Sequence, residues 1–395
     1  MKTIKVAAIV AEYNPFHNGH RYLIEQSRKQ GVTHVIAVMS GQFVQRGEAA
    51  VFDKWVRTSA ALSGGVDLVI QLPTEYAVAT AEKFGEGAVS LIDQMHSIDV
   101  LLFGSESGDA GRLQECATAD ADTRVSDRIR EILKDGCTYA RARQLAVSEI
   151  YGEEIAGVFE KPNDILGISY LSAMRKQNVS FAPMLIKRYG AGHDTTAGKD
   201  GIACASQIRK MLFAGEDFEQ FVPTDAYTLY HQSIAAGRAP VCLENAEKAV
   251  IWALRKKSAA DFEKLTDVSE GLHNRLFAAA QSTGSLSTLY DLVKTKRYTH
   301  ARIRRLCLSA VLDIYDFPPP QMFRVLGFNR RGEELLSVIK ENGELPVVTS
   351  YKEAKNAGVA AAFEREADFT DFYTLLMPDC AGCGEEMRQS VVKID

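Results

Sequence analysis

A chain of 395 residues exceeds one ordinary domain, and its 46% apolar and 25% charged residues describe a globular protein rather than a disordered or fibrous one. The net charge of −5 argues against a generally basic nucleic-acid binder, so an RNA partner would need a local patch and no DNA partner is expected. Apolar runs fall well short of the roughly 20 residues of a membrane span, the first is too short for a signal peptide, and seven scattered cysteines suit a reducing cytoplasm.

VAAIVA (6–11) reads as a buried strand, and RYLIEQSRKQG as a helix stopping at Gly31. Between them, EYNPFHNGH sets His17, Gly19 and His20 where a strand's carboxyl end turns into a helix. A helix amino terminus offers unpaired amides and the positive end of its dipole, hence an anion site. Gly19 lets a phosphate approach the backbone. Two imidazoles three residues apart suit hydrogen bonds to charge developing at phosphorus. Pro15 and Phe16 stiffen the loop. A pair of capping or core histidines is the plainer reading of a bare HxGH match. No carboxylate or cysteine stands at metal-ligand spacing, so no metal site is assigned.

HVIAVMSG (34–41) is strand-like and leads into SGQFVQRGE, where Gln42, Gln45, Arg46 and Glu48 crowd a loop past a strand end. Loops there contact substrates. Arg46 is a candidate for phosphate or carboxylate, or else a surface residue paired with Glu48. The helix-like DKWVRTSAALSGG (53–65) adds Lys54 and Arg57 on the same side. Then come a strand, DLVIQLP (67–73), a helix within ATAEKFGEGAVSLIDQM, and the strands VLLFGSE (100–106) and FAPMLIKR (181–188). Strands alternating with helices predict a Rossmann-like parallel sheet with helices on both faces, an α/β domain over residues 1–220. Its ligands would bind beyond the carboxyl ends of the strands.

GAGHD carries Gly190 and Gly192 but lacks the third glycine of a dinucleotide fingerprint, and leaves the roles of His193 and Asp194 open. At ACASQIRKML, Ser206 is a candidate N-cap, and Arg209, three residues on, suits the phosphates of a nucleotide. From Val222-Pro223 onward the texture turns helical, predicting a mainly α-helical domain over 221–395, with one further strand at ELPVVTS (344–350). SLSTLYDLVKTKRYTHARIRRLCLSAVLDIY is helix-like throughout. Within it, Lys294, Lys296, Arg297, Arg302, Arg304 and Arg305, with Tyr298 and His300 between, form the one concentrated basic stretch. Basic groups around an aromatic suit an RNA backbone and an unstacked base, though a solvated helix face has the same look. Cys380 and Cys383 form a lone CxxC without further zinc ligands.

Strand–HxGH–helix followed by a Ser-x-Ile-Arg helix resembles the HIGH-motif nucleotidyltransferase superfamily. More narrowly, VAEYNPFHNGH, MSGQFVQRGEAAVFDKWVR, FGSES, KPNDILGISYL, KRYGAGHD, KTKRYTHARIRRLC and LGFNRRG resemble the bacterial tRNA(Met) cytidine acetate ligase family. The resemblance implies activation of acetate by ATP, brought with Mg2+, as acetyl-adenylate. It implies transfer of the acetyl group to N4 of the wobble cytidine of elongator tRNA(Met); no cysteine shows evident activation, so no covalent acetyl-enzyme is expected. It implies His17, His20, Ser206 and Arg209 as catalytic. It also implies an ATP site from Val10, Ala11, Glu12, Tyr13, Asn14, Pro15, Phe16, His17, Asn18, Gly19, His20, Arg21, Tyr22 and Leu23, with Gly104, Asn163 and Arg188. Asn163 has a second reading as a helix cap before DILGISYL. An adenylyltransferase acting on a small phosphorylated metabolite is the alternative, although the basic helical half speaks against it. An RNA-binding protein with a dead nucleotide fold is a third reading, against which the intact motifs speak.

Overall fold

The computed structural model describes residues 5–188, 201–269 and 271–395. Its strands are β1 (Val6–Ala11), β2 (His34–Ser40), the short β3 (Phe43–Val44) and β4 (Glu48–Ala49), β5 (Leu68–Leu72), β6 (Val100–Ser105), β7 (Ala182–Lys187), β8 (Phe323–Phe328), β9 (Val347–Val348) and β10 (Val392–Lys393). The main sheet runs β10-β8-β5-β2-β1-β6-β7, with β9 beside β8. Every pairing is parallel except β5 with β8. The α/β architecture expected of the first half is therefore present.

Both faces of the sheet's central strands are dry. Along β1 and β2, Val6, Ala8, Ile36 and Val38 belong to one apolar cluster. Their neighbours Ala7, Ile9, Val35, Ala37 and Met39 belong to another. That alternation explains why the strands read as continuous apolar runs. From β1 the chain builds outward through β2 to β5, then jumps back across β1 to lay down β6 and β7. The reversal leaves a crevice beyond the carboxyl ends of β1 and β6, the place where open α/β sheets hold ligands.

A third cluster belongs to the helices of the second half, through Val250, Leu254, Leu276, Leu289, Ile303 and Leu306. Phe43 and Ala49, paired across the β3–β4 hairpin, reach into it. In the hairpin's turn Gly47 has φ +73, and a Cβ there would lie 2.6 Å from the Arg304 carbonyl carbon. The loop predicted to hang over the site is thus a small hairpin pressed against the basic helix.

The second half also feeds the sheet, since β8, β9 and β10 all come from it. Periodicity does not announce β8, because FRVLGF is a short apolar run broken by a cation. Arg324 is buried there by pairing with Glu386 at 2.9 Å. The long helix-like stretch from Ser285 is two helices, Leu286–Val293 and His300–Val311. Thr299 caps the second by accepting from the Arg302 amide. Lys294, Lys296 and Arg297 consequently stand on the connecting loop. Lys54 does not add charge to the predicted loop face: it is fully buried and paired with Glu386 at 2.5 Å.

Candidate active site

The helix after β1, α1 (Asn18–Lys29), begins with reciprocal capping. His17 is the N-cap, and its Nδ1 accepts the Gly19 amide at 3.0 Å. His20 turns back so that its Nδ1 accepts the His17 amide at 3.2 Å. Each Nδ1 is therefore an acceptor, which leaves the ring proton of a neutral imidazole on Nε2. Burial, then Arg188 and Arg209, pushes the His17 imidazolium pKa down to about 3. Burial, His17 and Arg188 also hold His20 well below the usual histidine range. Both rings present a neutral N–H donor at neutral pH.

Two details differ from the sequence expectation. The Gly19 amide is occupied by the His17 ring, so an anion here would meet the imidazole donors rather than that amide. Gly19 serves the ring as well, because a Cβ on it would lie 2.8 Å from His17 Cε1.

Both histidines line a cavity of about 380 Å³ in the crevice beyond β1 and β6. Val10, Ala11 and Glu12 come from the end of β1, Glu106 from beyond β6, and Arg188 from beyond β7. Gln45 and Arg46 come from the hairpin turn, and Ser206 and Arg209 from the helix Ala205–Ala214. Phe84, Ile165, Leu166 and Tyr170 supply an apolar wall. Among the described residues, three arginines face two glutamates, a balance that favours an anionic ligand.

The other residues of the predicted ATP loop shape it from behind. Tyr13 and Phe16 are buried in the core under the loop. Asn14 accepts the Val51 amide at 2.8 Å through Oδ1 and the Arg209 guanidinium at 2.9 Å through its backbone carbonyl. Asn18 donates to the carbonyls of Gly201 and Gln220. Arg21 pairs with Glu25 on the outer face of α1, while Tyr22 and Leu23 pack against the core. Gly104 does not line the cavity. It lies on β6, and a Cβ there would come within 3.2 Å of the Arg188 side chain.

Three further sequence expectations change. Asn163 is not a cap: Lys161 is, Pro162 opens the helix Pro162–Gln177, and Asn163 donates its side-chain amide to Glu106. Ser206 is not a cap either, since Cys204 holds that place and its thiol lies 3.0 Å from the Ser206 hydroxyl. Arg57 is fully buried and does not face the cavity. Its guanidinium donates to the carbonyls of Phe52 (2.9 Å), Glu12 (2.7 Å), Ser40 (3.0 Å) and Gly41, tying the loop after β1 to the loop after β2. Gly190, Gly192, His193 and Asp194 lie outside the described residues.

The HIGH Nucleotidyl Transferase family model matches residues 4–387. A tRNA(Met) cytidine acetate ligase of Thermoanaerobacter sp. (strain X514) is 38% identical over 98% of this chain and 100% of its own. The chain belongs to that ligase family. The corresponding protein of Acetivibrio thermocellus is 34% identical over 98% and 100%. Apo Thermotoga maritima TmcAL superposes with a TM-score of 0.92 at 33% identity, covering 99% of this chain and 100% of that one. The same protein bound to alpha-thio ATP gives 0.90 at 33% identity, covering 99% of each.

A second cavity, of about 490 Å³, adjoins the first and shares Gln45 and Ala81 with it. Its far wall includes Arg297, Tyr298, Arg302 and Arg305. The predicted basic patch divides here. Lys294 and Lys296 are exposed. Arg302 instead donates to the Asp267 carbonyl (2.7 Å) and Ser269, Arg305 pairs with the Asp267 carboxylate at 3.4 Å, and Arg304 pairs with Glu48. Tyr298 is 5% exposed beneath Arg302, so the expected stacking face is covered.

Glu106, Phe84 and Tyr170 are among the lining residues that the sequence did not assign. Glu106 and Tyr170 stand within FGSES and KPNDILGISYL, but nothing local in those stretches shows which side chain meets the cavity. Cys380 and Cys383 are exposed and free.

Proposed function

We propose that the chain is an ATP-dependent ligase that activates acetate and acetylates N4 of the wobble cytidine of elongator tRNA(Met). An acetate oxygen attacks the α-phosphorus, the bond to the bridging oxygen of pyrophosphate breaks, and acetyl-adenylate remains. The cytidine amine then attacks the acetyl carbonyl, and AMP leaves. The observation that carries this reading is the gathering of His17, His20, Arg188 and Arg209 at one crevice, beside a second cavity bounded by basic residues.

Two neutral Nε2–H donors and the arginines would hold the phosphates and stabilise charge developing on the leaving pyrophosphate. Phe84, Ile165, Leu166 and Tyr170 offer an apolar surface for adenine, and Arg46 in the hairpin turn suits the acetate carboxylate. Ser206 is assigned to the same phosphate end. Gly104 acts through Arg188 rather than by contact. Among the described residues no group of three or more His, Cys, Asp or Glu could hold a metal. Magnesium is accordingly assigned to the phosphates of its nucleotide, as part of the substrate.

Lys294 and Lys296 are assigned to the RNA backbone, with Arg302, Arg304 and Arg305 holding the helix that follows them. A tRNA substrate places the reaction in the cytoplasm. No described helix is long and apolar enough to cross a membrane.

The test supplies ATP, magnesium, radiolabelled acetate and bacterial tRNA, then digests the RNA. ATP-dependent label in N4-acetylcytidine is the expected result. Pyrophosphate release without RNA label would favour adenylation of a small metabolite instead.

A further inference from the structure

Transfer of an acetyl group to an amine leaves a proton to be disposed of. As the cytidine nitrogen bonds to the acetyl carbon, it becomes cationic, and a base must take its proton while AMP departs with the electrons of the broken C–O bond. The cavity's described residues hold few groups able to do this. His17 and His20 have each committed Nδ1 to a backbone amide and carry their proton on Nε2. Glu106 has both oxygens engaged, one by Asn163 and the other by the Asp164 amide at 3.0 Å. The Cys204 thiol sits against Ser206. The arginines are permanent cations.

Glu12 is different. Its Oε1 accepts the Gln45 amide at 2.9 Å, and its carboxylate borders the cavity. Gln45 is also one of the two residues shared with the second cavity. The carboxylate therefore stands at the junction, where an acceptor entering from the basic side meets an acyl group activated on the nucleotide side.

From this placement the geometry points to Glu12 as the catalytic base that takes the proton from the acceptor amine. The inference rests on the function proposed above. Arg57 fixes the residue by donating to its backbone carbonyl at 2.7 Å. The charged or titratable groups facing the carboxylate are Arg209, Arg46 and Arg57, with Tyr170 across the cavity. Burial raises the Glu12 carboxyl above the usual glutamate range, against the lowering by the Gln45 amide and these three arginines. A carboxylate raised in this way is a better base.

Glu12→Gln keeps an oxygen to accept the Gln45 amide while removing the base. Two reactions of the full-length protein separate its roles: acetate-dependent ATP–pyrophosphate exchange, and single-turnover transfer from synthetic acetyl-adenylate to an elongator tRNA(Met) transcript. The expected result is transfer slowed about 100-fold or more, as for loss of a general base, with exchange lowered by less than a tenth of that factor. The acid limb of the wild-type transfer profile should vanish in Glu12→Gln and return in Glu12→Asp. Equal losses in both reactions, or wild-type transfer in Glu12→Gln, would overturn the assignment. Wild-type protein that exchanges pyrophosphate but labels no RNA would instead end the proposed function, and this inference with it.

Discussion

The imidazoles of His17 and His20 lie stacked, with ring centroids 3.8 Å apart and planes 29° from parallel. Each ring is fixed by a backbone amide on Nδ1, so the pair is built before any ligand arrives. A preorganised donor pair loses no reorganisation energy when charge develops on a phosphate. Replacing His20 by Ala should slow acetate-dependent pyrophosphate exchange by about 10²–10³-fold, the loss typical of one such donor. Binding of tRNA, measured by filter retention, should change less than about threefold. Equal losses in both would show that the ring is structural.

The pair also predicts a pH dependence of stability. An unfolded histidine takes a proton near pH 6.5, whereas folded His17 does so only near 3. Between these values the unfolded chain binds more protons, so stability rises with pH across that window and falls as pH drops below 6.5. The contribution is about 1.4 kcal/mol per pH unit for one such group. Urea unfolding at pH 7 and 5.5 should show the wild type losing more stability on acidification than His17→Gln does. Identical losses would place the proton uptake elsewhere.

Gly19 offers a sharper separation of fold from function. Alanine suits a helix better than glycine by up to about 1 kcal/mol. Here its Cβ would press on the end of the His17 ring, a movable side chain. Gly19→Ala should therefore leave the thermal midpoint within a few degrees of wild type while exchange falls at least about tenfold. A midpoint drop as large as that of a core deletion would contradict this account.

Legibility in the sequence followed the distance over which each feature is assembled. VAAIVAEYNPFHNGH carries β1, both rings and the cap within one stretch, so their place at a strand–helix junction could be read locally. The cavity walls could not, because Glu106 and Tyr170 meet His17 only through the crossover from β1 to β6 and the helix Pro162–Gln177 that leads into β7. The arginine cluster gave a misleading signal. KTKRYTHARIRR has no acidic residue within it, yet Asp267, 35 residues before Arg302, and Glu48, 256 residues before Arg304, fold back to pair with Arg302, Arg304 and Arg305. Arg57 and Lys54 looked like surface charge for the same reason. Their partners are backbone carbonyls and a glutamate contributed from the far end of the chain.

Arg57 holds two loops by four carbonyls from the protein interior, and its removal leaves those acceptors buried without donors. Arg57→Ala should cost about 3–5 kcal/mol in denaturant unfolding. Arg57→Lys should recover little of this, because one ammonium cannot reproduce the planar fork. A loss below about 1 kcal/mol would mean that water or a neighbour takes over the contacts.

The divided basic segment makes a prediction about RNA. A residue that neutralises a phosphate contributes about one unit to the slope of log affinity against log salt. Lys294 and Lys296 are exposed on the loop, whereas Arg302 is held by Asp267 and Ser269. Lys294→Ala with Lys296→Ala should therefore lower the slope for tRNA binding by about two units, with the unfolding midpoint unchanged. Arg302→Ala should do the opposite: it removes the tie between the helix His300–Val311 and residues 267–269, destabilising the fold while leaving the slope nearly as it was. If Arg302→Ala lowers the slope by as much as either lysine, its guanidinium must leave Asp267 when RNA binds, and the helix is then a direct contact surface.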